Sequence, residues 1–134
     1  MKLAIKQAQI AKQNGEVPVG SIIVNEGSIV IASAFNMTIT LNDPTAHAEM
    51  LAIRSACKFL GVSRLNSSDI YVTLEPCMMC VQAISFTKIR RLYFGAYNPK
   101  CTENIKNSHI SEIYGGLLEE ECSLLLKSFF QTLR

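Results

Sequence analysis

The chain has 134 residues, of which 49% are hydrophobic and 18% are charged. This balance is typical of one globular domain, residues 1–134, with a core of its own, and it excludes a disordered chain. The formal net charge of +2 is too small to indicate nucleic-acid binding by itself.

The N-terminal segment lacks the apolar core of a signal peptide, and no apolar run approaches the length of a membrane span. We therefore expect a cytoplasmic protein with no membrane partner, in which the five cysteines are reduced. Cys57 and Cys122 fall among apolar helical positions and are predicted to lie in the core. Cys101 falls in a loop-like segment and is predicted to be an exposed thiol.

Three elements are predicted before the first motif, and their ranges follow the periodicity of the apolar residues. They are a helix over 2–14, an antiparallel hairpin with strands 21–24 and 28–33, and a polar loop over 35–42.

Asp43-Pro44-Thr45 then predicts the start of a second helix, because Asp or Thr can cap it and Pro is tolerated in its first turn. The helix is expected to run to about Leu60, where Gly61 stops it. Its expected buried side consists of Met50, Leu51, Ile53, Cys57 and Leu60. The later predicted elements are an interior strand 69–74, a helix 77–87, a strand 91–95, an irregular stretch 96–109, a short edge strand 110–114 and a helix 117–133.

This order of elements predicts an α/β fold with three layers, α/β/α, in which helices cover both faces of a mixed sheet of about five strands. The β-α-β crossovers make the later strands parallel, whereas the first hairpin is antiparallel. The N-termini of the two central helices are expected to meet at one edge of this sheet.

One His and two Cys are the candidate metal ligands. His47, Cys77 and Cys80 are the soft N and S donors that zinc prefers, and three protein ligands leave a fourth position for water. Cys77 and Cys80 alone would equally fit buried core cysteines or a redox motif. Adding Glu49, two residues after His47, and Pro76 before Cys77 favours the H-x-E and P-C-x-x-C pattern of zinc-dependent nucleobase deaminases.

Beyond this motif, the sequence resembles the bacterial tRNA-specific adenosine deaminases of the cytidine deaminase-like superfamily over nearly its whole length. The segments that carry the resemblance are Glu16-Val-Pro-Val-Gly20, Asn36, Asp43-Pro-Thr-Ala-His-Ala-Glu49, Tyr71-Val-Thr-Leu-Glu-Pro-Cys-Met-Met-Cys80, Phe94-Gly-Ala96 and Phe129-Phe130.

The resemblance implies a homodimer that deaminates adenosine to inosine in a tRNA anticodon loop, at the wobble position. His47, Cys77 and Cys80 would hold one zinc ion per subunit, and the metal would lower the pKa of a water molecule. Glu49 would be the general acid and base.

The resemblance also implies a set of substrate-binding residues. Asn36 would hydrogen-bond the base, assisted by the backbone of Ala48, and Val19 would line the pocket wall. Phe130 would stack near the bound RNA.

Two departures from the family pattern concern the substrate. Asn98 stands where the family has an Asp that meets the ribose, so we hypothesise weaker discrimination between RNA and DNA. The segment between Asn98 and the last helix, and the C-terminus, are also shorter than the family pattern.

Two alternatives stay open from the residues. The first is a deaminase of a free base or nucleoside, guanine before cytosine or cytidine, because residues 43–58 also resemble guanine deaminases. The second is a non-catalytic, zinc-stabilised RNA-binding module, in which Glu49 is a helix-start acid favoured by the dipole.

Overall fold

The structure is a computed structural model that describes residues 1–106 and 108–133. Its elements in chain order are α1 (Lys2–Gln13), β1 (Gly20–Asn25), a 3₁₀ turn (Glu26–Ser28), β2 (Ile29–Phe35), α2 (Ala48–Leu60), β3 (Asp69–Leu74), α3 (Met78–Phe86), β4 (Arg91–Ala96), α4 (Thr102–Lys106), β5 (Glu112–Tyr114) and α5 (Glu119–Thr132). Within these described residues, no helix has both the length and the apolar character needed to cross a membrane.

The strands form one mixed sheet in the order β2-β1-β3-β4-β5. β1 is antiparallel to both β2 and β3, whereas β4 is parallel to β3 and β5 is parallel to β4. The predicted fold class, three α/β/α layers around a mixed sheet of about five strands, is confirmed. β5 is the short edge strand that the sequence predicted.

Helices cover both faces of the sheet. α2 and α3 pack on one face, where Ile23, Ile70 and Leu92 lie in a core shared with apolar residues of both helices. α1 and α5 pack on the other face and approach the strands closely at two glycines. A Cβ at Gly20 would collide with the backbone of α1, and a Cβ at Gly95 would collide with Cys122 of α5.

The strand directions bring four connections to one edge of the sheet, the edge formed by the carboxyl ends of β3 and β4. Because β3 and β4 are parallel, their carboxyl ends, Leu74 and Ala96, lie side by side. β1 is antiparallel to β3, and its first residue, Gly20, pairs with Phe35 at the end of β2. The segments before β1 and after β2, β3 and β4 therefore meet, which in α/β sheets is where ligands bind.

The predicted start of the second helix at Asp43-Pro44-Thr45 is wrong, because α2 begins at Ala48. Asp43 instead closes a turn of its own, since its Oδ1 accepts hydrogen bonds from the backbone N–H and the hydroxyl of Thr45 at 2.8 and 2.7 Å. His47 is the N-cap of α2 and keeps an extended backbone, with φ −73° and ψ 151°. The residues expected to cap the helix shape the loop that leads to His47.

The buried side of α2 is built mainly from small residues. Ala48, Ala52 and Ala56 are completely buried, four residues apart along one face of the helix. Leu60, predicted to be buried, is exposed at the end of the helix. Because alanine side chains are small, the helix can pack close to the sheet.

Two predictions about the segment after β4 are also wrong. The stretch 96–109 is not irregular throughout, because it contains α4, which packs against α3. Cys101 is buried and not an exposed thiol, since a turn closed by its N–H and the carbonyl of Asn98 (2.8 Å) folds it inward. Cys122 lies in the core as predicted, and Cys57 is half-buried.

Candidate active site

A cleft of about 300 Å³ opens at the edge of the sheet where the four connections meet. Each connection contributes to its walls. The lining residues are Val17, Val19, Asn36, Thr38, His47, Glu49, Leu74, Glu75, Cys77 and Asn98.

The three candidate metal ligands lie together at this cleft. Nδ1 of His47 is 3.6 Å from Sγ of Cys77 and 3.6 Å from Sγ of Cys80, and the three donor atoms all lie within 4.8 Å of one another. Zinc bonds of ~2.0–2.1 Å to nitrogen and ~2.3 Å to sulfur at tetrahedral angles separate such donors by about 3.6 Å. The donor set therefore fits a zinc ion in both chemistry and spacing.

Two helix N-termini hold this donor set. His47 is the N-cap of α2 and Cys77 is the N-cap of α3, and neither side chain caps its own helix. Their carbonyls accept the first helical hydrogen bonds, from Leu51 at 3.0 Å and from Val81 at 2.9 Å. The positive ends of both helix dipoles thus point at the two sulfurs, which favours thiolate.

The protein groups around the donor set shift the pKa values of the two thiols in opposite directions. The hydrogen bonds of Cys80 and His47 to Cys77 lower the pKa of Cys77 to about 4. The same bond to Cys77, together with burial, raises the pKa of Cys80. The hydrogen bond to Cys77 also raises the pKa of His47. A bound divalent cation changes this balance, because a coordinating thiol is deprotonated outright.

Glu49 is the buried acid of the cleft. It is 3% exposed, and its Oε1 has no hydrogen-bond partner among the described residues. Burial raises the pKa of this carboxyl above its usual value. A buried carboxyl with one free oxygen, lining a cleft beside a metal-ligand set, is suited to proton transfer.

Three of the predicted substrate-binding residues, Asn36, Val19 and Asn98, lie in the wall of the cleft. The side-chain oxygen of Asn36 accepts the backbone N–H of Ala48 at 3.3 Å, so Ala48 orients Asn36 and leaves its amide NH₂ for a ligand. Phe130 lies elsewhere, half-exposed beside a depression formed with Leu126, Lys127 and Gln131.

The sequence interpretation assigned no role to Glu75. This carboxylate is buried, lines the cleft, and accepts the backbone N–H of Asn98 on Oε1 at 2.8 Å. Its position directly after the nearly all-apolar strand β3 was a usable signal, because ligands of α/β sheets bind at the carboxyl ends of the strands. Thr38, also on the wall, is a threonine in a polar loop and gave no such signal.

Comparison with known proteins agrees with this site. The cytidine and deoxycytidylate deaminase zinc-binding region matches residues 1–96, which include all three donor residues. The chain is 45% identical, over its full length and 88% of the relative's, to a Bacillus subtilis (strain 168) protein named tRNA-specific adenosine deaminase. A solved structure from a study of tRNA:A34 deaminases and wobble-position A-to-I editing superposes with a TM-score of 0.88 at 45% identity, covering 94% of this chain and 97% of the other. The chain belongs to the zinc-binding cytidine and deoxycytidylate deaminase family and, within it, to the tRNA-specific adenosine deaminases.

A guanine deaminase from Bacillus subtilis is also similar, although over less of each chain. It is 38% identical with a TM-score of 0.69, covering 76% of this chain and 65% of that structure. The match to the Bacillus subtilis adenosine deaminase spans 143 aligned positions, more than this chain has, so that relative contains residues without a counterpart here.

If the donor set binds zinc, removing one sulfur should release the metal. We expect Cys80→Ala to lose most of its zinc, because two donors bind far more weakly than three, whereas Cys57→Ala, a half-buried cysteine on α2, should retain it. Metal analysis of the two purified variants beside the wild type measures this. Zinc retained in Cys80→Ala would rule out this donor set.

Proposed function

We propose that this protein is a zinc-dependent hydrolase of the cytoplasm that converts adenosine to inosine at the wobble position of a tRNA anticodon. The observation that carries the proposal is the buried carboxyl of Glu49, with one oxygen that has no partner among the described residues, beside the donor atoms of His47, Cys77 and Cys80. The full-length similarity to the Bacillus subtilis tRNA-specific adenosine deaminase supports the choice of substrate.

In this proposal His47, Cys77 and Cys80 hold one zinc ion per subunit. A zinc ion in such a site supplies Lewis acidity and brings the pKa of water close to neutrality. The two N-caps keep the donors in place, and the charge of two thiolates balances that of the metal.

Glu49 moves the protons of the reaction. Water adds to C6 of adenine, the C6–N6 bond breaks, and ammonia leaves, so one proton has to reach N1 and another has to reach the departing nitrogen. A carboxyl whose pKa is raised by burial can accept the first proton from water and donate it again at neutral pH. Its oxygen without a protein partner is available for this exchange.

Asn36 and the valines orient the base. The amide NH₂ of Asn36 can donate to a ring nitrogen of adenine, because its oxygen already accepts from Ala48. Val17 and Val19 provide apolar wall against the ring. Bases of an anticodon loop are unstacked more readily than those of a duplex, so the target enters the cleft at lower cost. Phe130 lies outside the cleft, so in this proposal it contacts RNA beyond the target nucleotide.

Measuring inosine in an anticodon stem-loop with adenosine at the wobble position tests the proposal directly. Free guanine and free cytidine in parallel reactions test the first alternative, and turnover of either without inosine would replace our proposal. RNA binding by a zinc-loaded protein that turns over none of the three would support the non-catalytic module.

Glu49→Gln should retain zinc and RNA binding but lose deamination by about 10²–10⁴-fold, because an amide cannot relay the protons. Inosine formation, zinc content and stem-loop affinity of the same preparation measure this. Glu26→Gln, on the exposed turn between β1 and β2, is the matched control and should remain active. Near-wild-type inosine formation by Glu49→Gln would remove Glu49 from the mechanism.

Asn98→Asp should increase the preference for RNA over DNA. Asn98 forms a turn in which its Oδ1 accepts the N–H of Lys100 at 3.1 Å, and an Asp preserves this bond while it replaces the amide donor by an acceptor for a ribose hydroxyl. Matched RNA and DNA hairpins measure the ratio of the two rates. An unchanged ratio would show that residue 98 does not read the sugar.

Association into a homodimer is part of the proposal, and α3 supports it. Met78, Gln82 and Phe86 follow one another at four-residue spacing on its outer side, and the side chains of Met78 and Phe86 are 63% and 76% exposed. Val81 and Ile84 of the same helix lie in the core and are excluded from an interface. Exposed apolar side chains in a row are typical of a protein contact.

Phe86→Glu should shift the protein toward monomer, because it places a charge in the proposed apolar contact. Light scattering coupled to size-exclusion chromatography measures the mass of the wild type and the variant. Phe59→Glu, an exposed phenylalanine on α2, tests whether any surface charge has the same effect. A monomeric wild type would refute the dimer, and a dimeric Phe86→Glu would exclude this face of α3.

A further inference from the structure

Glu16 is a completely buried carboxylate that lies behind the wall of the cleft. It follows α1 and directly precedes the wall residue Val17, but it does not line the cleft itself. Neither the sequence motif nor the mechanism gives it a role.

Four donors from the connection between β2 and α2 surround this carboxylate. Oε1 accepts from the backbone N–H of Ile39 at 3.1 Å and from the hydroxyl of Thr38 at 3.4 Å. Oε2 accepts from the backbone N–H and the hydroxyl of Thr40, both at 2.7 Å. Hydrogen bonds to a charged acceptor are roughly twice as strong as neutral ones.

The carboxylate is charged at neutral pH. Burial alone would raise the pKa of Glu16, but the hydrogen bonds from Thr40, Ile39 and Thr38 outweigh it and lower the pKa below its usual value. The full strength of these bonds is therefore present under the conditions in which the protein works.

The segment that Glu16 holds borders the mouth of the cleft. Thr38 lines the cleft, and the next residues expose two large apolar side chains, Ile39 at 67% and Leu41 at 50%. Exposed apolar side chains that follow a cleft-lining residue would contact nucleotides beside one that has entered the cleft. A contact of this kind depends on the segment keeping one conformation.

The donor set is fastened by separate bonds. The N–H of Met37 donates to the carbonyl of Ala46 at 3.0 Å, and the N–H of Ala48 donates to Asn36 at 3.3 Å. These bonds close the base of the connection next to His47 without involving Glu16. Loss of the Glu16 contacts would therefore release the N–H groups of Ile39 and Thr40 and leave the zinc ligands in place.

We propose that Glu16 is a positioning residue, whose carboxylate fixes residues 38–40 at the mouth of the cleft and thereby sets how tightly the enzyme holds RNA around the target base. The proposal rests on the proposed function for its substrate. Glu16 acts through the loop, and it contributes to substrate binding and not to the proton transfers of Glu49.

Asp69 provides a control, since it is a second buried carboxylate, 8% exposed, that accepts hydrogen bonds. It accepts two hydrogen bonds from Arg90 at 3.1 Å each, at the end of β3 away from the cleft. Asp69→Asn and Glu16→Gln both remove the charge of a buried, hydrogen-bonded carboxylate, but only the second lies behind the wall of the cleft.

Hydrogen exchange of the peptide that contains residues 38–42 tests the anchor without any substrate. We expect Glu16→Gln to raise the exchange of the Ile39 and Thr40 amides about tenfold over the wild type, because glutamine replaces one of the two carboxylate oxygens that accept from them by an NH₂ group and loses the charge that strengthens the other bond. Asp69→Asn should leave this peptide unchanged. Unchanged exchange in Glu16→Gln would overturn the inference.

Kinetics on the wobble stem-loop test the consequence. Glu16→Gln should raise KM about tenfold with kcat within about threefold of the wild type and with zinc retained. A variant that is merely less stable would lose active protein, which lowers the apparent kcat and leaves KM unchanged. A lower apparent kcat with an unchanged KM is the result expected for Asp69→Asn. The same result for Glu16→Gln would overturn the inference.

Thr40→Val is a milder variant in case Glu16→Gln does not fold. It removes one hydroxyl donor to Oε2 and keeps the backbone contact, so KM should rise about threefold. Thr87→Val, which removes a hydroxyl bonded to the carbonyl of Ile84, should leave KM unchanged. Equal KM values in the two variants would count against Glu16.

Failure of the proposed function and failure of the inference on Glu16 give different experimental results. If the wild type forms no inosine, the proposed function fails, and hydrogen exchange of residues 38–42 still decides whether Glu16 fixes the loop. If the wild type forms inosine and Glu16→Gln matches it in both exchange and KM, only the inference on Glu16 fails.

Discussion

The site depends on one constraint, which is that the nitrogen of His47 must be held about 3.6 Å from each of two sulfurs that come from another part of the chain. A side chain inside a helix is carried by the helix as a whole, but an N-cap has an extended backbone and can be aimed separately. His47 and Cys77 are both N-caps, and Cys80 follows Cys77 by almost one turn of α3. The strand directions then determine the rest, because they bring the starts of α2 and α3 to the same edge of the sheet.

Three buried glutamates at this edge show how surroundings assign a role to a carboxyl group. Glu16 accepts four hydrogen bonds, and its pKa is lowered, so it remains a charged anchor. Glu75 accepts the N–H of Asn98 and holds the turn after β4. Glu49 has an oxygen without a partner among the described residues, and its pKa is raised by burial. Only the last arrangement is suited to taking up and releasing a proton.

The sequence was sufficient for the fold class and for the metal ligands, because both depend on local signals. Apolar runs of strand length predicted the interior strands, and the residue types and spacing of His47, Cys77 and Cys80 predicted the donor set. The predicted start of α2 was wrong because Asp and Thr residues are typical both of a helix cap and of a separate turn, and Asp43 and Thr45 form the turn. On the buried face of α2 the prediction was right for Ile53, which lies in the core, and wrong for Leu60, and it missed the alanines because they carry little weight beside leucine and methionine in an apolar pattern.

Glu16 could not be predicted for a different reason. It follows a helix stop, where a glutamate is normally solvated, and its partners lie more than twenty residues further along the chain. Two of those partners are backbone amides, which every residue except proline has, so no residue type marks them. Contacts of this kind are visible only in the folded molecule.

The alanine face of α2 has a consequence for variation in this protein. Ala48, Ala52 and Ala56 allow the helix to lie against the sheet, and His47 immediately precedes the first of them. A larger side chain at Ala52 or Ala56 would lift the helix and carry His47 away from the two sulfurs, although neither alanine touches substrate. Substitutions that inactivate the enzyme should therefore also occur on the buried face of α2, at residues that take no part in catalysis. The distance between α2 and the sheet therefore sets the geometry of the metal site.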